Sequence, residues 1–131
     1  MTNSSAASAI EGFLAQIGSY TRDELAQMLC LAPPARGVTP EELRHSGRIF
    51  AFSHHGQWRY PKFQFQGRNP KPILADLLRA LPIDPTGYET ALFFALPNAY
   101  LADLAPMVAL DMDPEKLRRV AHRYANPAEC F

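Results

Sequence analysis

Net charge is missing from this chain of 131 residues: 13 lysines and arginines are matched by 13 aspartates and glutamates, so overall charge selects no class of partner. Cysteine is scarce. Cys30 and Cys130 lie far apart and belong to no CxxC or Cys/His group, which excludes a disulfide framework and predicts two free thiols in a reduced cytoplasmic protein. No apolar run approaches the length of a membrane span, and the opening "MTNSSAASAIEGF" lacks the basic region and apolar stretch of a secretion signal. The reading is a soluble cytoplasmic protein without membrane attachment. Also absent are a Gly-x-Ser-x-Gly elbow and a phosphate-cradling glycine loop. Cys30 falls where a buried helix residue is expected. The carboxylate pair Glu41 and Glu42 opens a helix, where the dipole favours negative charge. These absences predict no catalytic activity, no cofactor and no metal site.

What the chain does have is proline, 12 in all, placed mostly at helix starts and stops. Ile10, Phe13, Leu14 and Ile17 share a helical face that Gly18 ends. Thr21 and Glu24 form a capping box flanked by the staple pair Tyr20 and Leu25, and Leu25, Met28 and Leu29 continue a buried stripe. "LAPPARG" breaks the helix. Thr39, Pro40 and Glu42 then repeat the device, with Val38 and Leu43 as the staple and Gly47 as the stop. After the turn "GRNPKP", Ile73, Leu74, Leu77, Leu78 and Leu81 predict a helix stopped by Pro82. Another starts near Asp84-Pro85 and carries Tyr88, Leu92 and Leu96. Short helical turns broken at Pro106 follow. A last helix is capped by Asp113 and buries Leu117, Val120, Ala121 and Tyr124. The fold class is therefore mainly α with a small β-hairpin (α+β), divided into residues 1–66 and 67–131.

The hairpin is "GRIFAFSHHGQWRYPKFQFQ". Phe50 and Phe52 alternate with Ile49 and Ala51, Trp58 and Tyr60 alternate with Gln57 and Arg59, and Phe63 and Phe65 extend the pattern. His54 and His55 are adjacent, whereas metal-binding histidines on one element usually stand two to four apart, so they read as the tip of a hairpin turned by Gly56.

Basic side chains dominate residues 36–79, either as a cationic face or as scattered solvated charges. Two short helices across a turn, followed by a hairpin, follow the order of a winged helix-turn-helix. In that reading Arg36, Arg44, His45, Arg48, His54, His55 and Arg59 contact DNA, with arginine forks suited to phosphate and guanine edges. The alternating aromatics read as core packing before base stacking.

The order "TRDELAQML…ELRHSGRIFAF…WRYPKFQF" resembles the excisionase-like helix-turn-helix half of certain small bacterial proteins, through Gly47, Arg48, Tyr60, Pro61, Phe63, Gln64 and Phe65. "YETALFFALPNAYLADLAPMVALDMDPEKLRRVAHR" is similar to the toxin-binding domain of Xre/MbcA/ParS antitoxins, through Phe93, Phe94, Pro97, Asn98, Leu101, Pro106, Leu117 and Val120. It departs from that pattern at residues 102–105, where a glycine-containing turn is usual, and at Tyr88, where tryptophan is. The resemblance spans residues 20–125. It implies a homodimeric antitoxin that binds a cognate toxin, typically of the NAD-degrading RES type, and represses its own operon by binding operator DNA. The partner-facing residues it implies are Asn98, Leu101, Pro106, Arg119 and Arg123, of which the first three are as readily structural. The alternative is a protein-interaction module with a degenerate helix-turn-helix and no DNA binding. An enzyme with a dispersed site is the least favoured reading.

Overall fold

Local hydrogen bonds start the first two helices of this computed structural model, which describes residues 12, 18–31, 38–82 and 86–125. The Thr21 N–H donates to Glu24 Oε1 (2.8 Å) and the Glu24 N–H donates to Thr21 Oγ1 (3.2 Å), opening α1, Arg22–Leu31. Thr39 Oγ1 accepts the Glu42 N–H (3.1 Å) at the head of α2, Pro40–His45, with Pro40 in the first turn where no N–H is needed. Gly47, at φ 77°, ends α2. There the Arg48 N–H donates to the Leu43 carbonyl (3.1 Å) and the Gly47 N–H to that of Arg44 (3.2 Å), a double closure that glycine's left-handed freedom permits. The predicted helix through Ile10 and Ile17, the "LAPPARG" connection with Arg36, the start at Asp84-Pro85 and Cys130 lie outside the described residues.

Three strands form one antiparallel sheet in the order β1-β3-β2: β1 is Ser19–Thr21, β2 is Phe52–His54 and β3 is Gln57–Pro61. His55 and Gly56, at φ 52° and 76°, make the two-residue turn joining β2 to β3, a pair of left-handed residues whose twist matches the flanking strands. β1 pairs along β3 from Ser19 opposite Pro61 to Thr21 opposite Arg59. Three residues carry too little alternation for the sequence to declare β1.

The predicted strand from Ile49 begins three residues late, for a physical reason. Phe50 donates its N–H to Gln64 Oε1 (2.7 Å) and accepts from Gln64 Nε2 (2.9 Å), which also reaches the Pro61 carbonyl (3.1 Å). One fully buried side-chain amide thus stands in for a neighbouring strand. Nor does the alternation run on through Phe63 and Phe65. A 3-10 turn, Lys62–Gln64, interrupts it before a second small hairpin of β4, Phe65–Gln66, and β5, Asn69–Pro70.

The remaining chain is helical: α3, Ile73–Ala80; α4, Tyr88–Ala95; a 3-10 turn, Ala99–Leu101; α5, Pro106–Met112; and α6, Pro114–Ala125. Pro106 starts α5 as its first residue and does not break it. Asp113 Oδ1 caps α6 through the Lys116 N–H (3.2 Å). Arg118 on α6 reaches Asp76 on α3 (3.1 Å), and Lys71 reaches Asp111 on α5 (3.1 Å).

Two apolar clusters result. Leu25, Leu29, Leu43, Ile49, Ala51, Tyr60 and Phe65 form one, while Leu74, Leu77, Phe94, Leu117 and Ala121 anchor the other. Phe50 and Phe52 belong to the second cluster although they sit in the N-terminal half, and Phe63 packs against it as well. Phe50 stacks on Phe94 with ring centroids 5.4 Å apart. The backbones close up there too: a Cβ on Gly87 would lie 1.9 Å from the Ala51 oxygen. The class is α+β. Three predicted burials are corrected: Cys30 is exposed, Leu96 is 55% exposed and Tyr124 is 49% exposed, each on the outer side of its helix or at its end.

Candidate functional site

Arg44 occupies the last turn of α2, where Leu43 is drawn into the core and turns its neighbour toward the hairpin. Its guanidinium stacks 4.2 Å from the centroid of the Trp58 ring, fastening α2 to β3. The Arg44 Nε is buried without a hydrogen-bond partner, and the Tyr60 hydroxyl is buried beside the Arg44 guanidinium. Burial pushes the Tyr60 hydroxyl up, and the Arg44 charge beside it pulls partly the other way. His45 and Arg48 stand exposed on either side of Gly47.

At the hairpin tip His54 and His55 rest against each other edge-on, 4.1 Å between ring centroids. His55 is exposed and His54 half-buried. Arg59 lies on the central strand, cross-strand from Thr21 and Phe52, with a buried and unpartnered Nε. Side chains alternate along a strand, so Arg59 and the Trp58–Arg44 stack lie on opposite faces of the sheet. The structure therefore groups Arg44, His45 and Arg48 around the end of α2 and His54 with His55 at the tip, and sets Arg59 apart. Arg36 lies outside the described residues.

The acidic start of α2 is partly neutralised. Arg22 on α1 grips Glu41 through two contacts, Nε to Oε2 (2.9 Å) and Nη2 to Oε1 (3.0 Å). That hydrogen-bonded guanidinium holds the Glu41 carboxyl below the usual range, and the Thr21 N–H does the same for Glu24.

In the C-terminal half, Asn98 Oδ1 accepts the Tyr100 N–H (2.9 Å), its N–H donates to the Leu104 carbonyl (3.1 Å), and its carbonyl accepts from Asp103 (2.9 Å). Ala102 and Asp103 are left at φ 55° and 66°, strained for residues with a Cβ. Leu101 and Pro106 are buried, so Asn98, Leu101 and Pro106 shape this turn. Arg119 is exposed, and the Arg123 guanidinium lies 5.2 Å from the Tyr100 ring centroid.

The large exposed apolar side chains among the described residues are Leu96, Tyr100, Leu104, Val108, Met112 and Tyr124, all in this half. Leu96 and Tyr124 line a groove of about 380 Å³ with Leu92 and Phe93 as its floor and Glu89 at its rim. Val108 and Met112 stand four residues apart on α5, and Leu104 lies just before its start. Sequence reasoning missed this surface. Its one signal was that "PMVALDM" is apolar on more than one face.

Comparison with protein-family models, curated proteins and solved structures returned no match. Among the described residues no helix is long and apolar enough to cross a membrane, and no group of three or more His, Cys, Asp or Glu is placed to hold a metal ion.

Proposed function

We propose that the chain is a non-catalytic antitoxin and autorepressor: a winged helix-turn-helix within residues 19–61 binds operator DNA, and the helical half binds a cognate toxin. The observation that carries the reading is β1. Its pairing along β3 gives the element order β1-α1-α2-β2-β3 with sheet order β1-β3-β2, in which two capped helices pack against a sheet that ends in a two-residue hairpin turn. That arrangement presents α2 and the hairpin together to a duplex. Arg48, His45 and His55 are the exposed donors there, and Arg44 holds α2 and hairpin in register. The exposed apolar surface of the helical half supplies the second binding face.

The test is fluorescence anisotropy on duplex from the chain's own upstream region across a salt series. Binding should weaken steeply with salt, and Arg48→Ala should lower the logarithmic salt slope by about one. Arg44→Ala is the poorer probe because it removes packing on Trp58. One observation favours the second reading, an interaction module without DNA binding: Arg44 is engaged on Trp58 within the fold, and Arg59 lies on the central strand, apart from α2. Absence of binding at low salt would decide for it.

A further inference from the structure

Between the end of α2 and the α3–α4 region lies a cleft of about 290 Å³. Arg44 and Trp58 line it from α2 and β3, and Leu78, Pro82, Gly87 and Thr90 from the α3–α4 region. Arg44 alone among the lining residues is charged. No acid lines the cleft with it: Glu41, which feels the Arg44 charge from outside the lining, has both carboxylate oxygens bonded to Arg22. The Arg44 Nε is buried without a hydrogen-bond partner. A guanidinium stacked on an indole keeps its edge N–H groups in the stacking plane, the geometry that receives a carboxylate fork. The rest of the cleft is mainly apolar, and its volume stands at the lower edge of the about 300–1,000 Å³ usual for ligand pockets.

We propose that this cleft binds a small organic carboxylate, its anionic end on Arg44 and its apolar body against Leu78 and Pro82. The proposal is independent of the DNA-binding reading, because it rests on the cleft and its lone cation. A ligand seated there touches both halves of the molecule, so its binding is linked to their spacing.

Trp58 is the single tryptophan of the chain and lines the cleft, which makes its emission the reporter. Titration of the full chain with phenylacetate and hexanoate should change that emission saturably, with dissociation constants below about 10 mM. Phenylacetamide and phenethylammonium should bind at least about tenfold more weakly, since the fork loses its anion. Leu78→Phe, which enlarges a side chain lining the cleft, should abolish the response while the far-ultraviolet spectrum stays that of wild type. Amide shifts of the wild-type chain should cluster at residues 47–51, 78–82 and 86–90. Equal responses to carboxylate and amide, no response to either carboxylate, or shifts confined to residues 92–124 would each overturn the proposal.

Discussion

Gly87 and Gln64 are the residues whose loss the fold should tolerate least. At Gly87 the demand is double: φ is 77°, and a Cβ would fall 1.9 Å from the Ala51 oxygen, so the backbone must part. Gly87→Ala should cost more than about 3 kcal/mol in a denaturant titration. By contrast Gly47→Ala, with open space at its Cβ, should cost about 1 kcal/mol for conformation alone. Gln64→Leu strands the N–H and carbonyl of Phe50 and should destabilise by about 3 kcal/mol, with no compensation from the added apolar volume. The strain at Ala102 predicts the opposite sign. Ala102→Gly relieves a left-handed residue and should raise stability by up to about 1 kcal/mol, read as a higher melting temperature.

At the scale of elements, the two threonine caps hold the N-terminal helices, and each replacement, Thr21→Ala or Thr39→Ala, should cost about 1 kcal/mol. The acid limb of stability follows from the same termini. Glu24 and Glu41 titrate below the usual carboxylate range in the folded chain, so their stabilisation is complete above the unfolded-chain pKa of ~4.3 and is lost as pH falls through the folded values. Glu24→Gln/Glu41→Gln should be less stable at pH 7 and lose less on acidification, measured by urea midpoints across pH. Caps, helices and the hairpin turn were legible in the sequence because each is decided within a few residues. β1 was not: three residues show no period, and their partner strand lies about forty residues on. Gln64 was equally silent, since its acceptor and donor sit fourteen residues away and an amide side chain in an aromatic run reads as solvent-facing.

For the whole molecule, the sequence conveyed the α+β class. It did not convey which cations the fold would occupy, because stacking of Arg44 on Trp58 depends on how α2 docks. Nor did it distinguish an apolar stripe that meets its own chain from one left outside: Leu96 and Tyr124 have the right spacing for burial and still stand half in solvent. That surface carries a clean test. On the antitoxin reading proposed above, Leu96→Glu/Tyr124→Glu should leave the melting temperature within a few degrees of wild type while abolishing co-purification with, and rescue from, the proposed toxin.

The boundary predicted at residue 66 runs through a chain whose aromatic plugs sit on the wrong side of it. Phe50, Phe52 and Phe63 fill the helical cluster from the N-terminal half. A protein severed between Gln66 and Gly67 would give one fragment with three orphaned phenyl rings and another with the sockets they left. Neither should fold alone, and mixing the two should restore both at once. Reassembly of the halves would then be a complementation system in which each piece reports on the other.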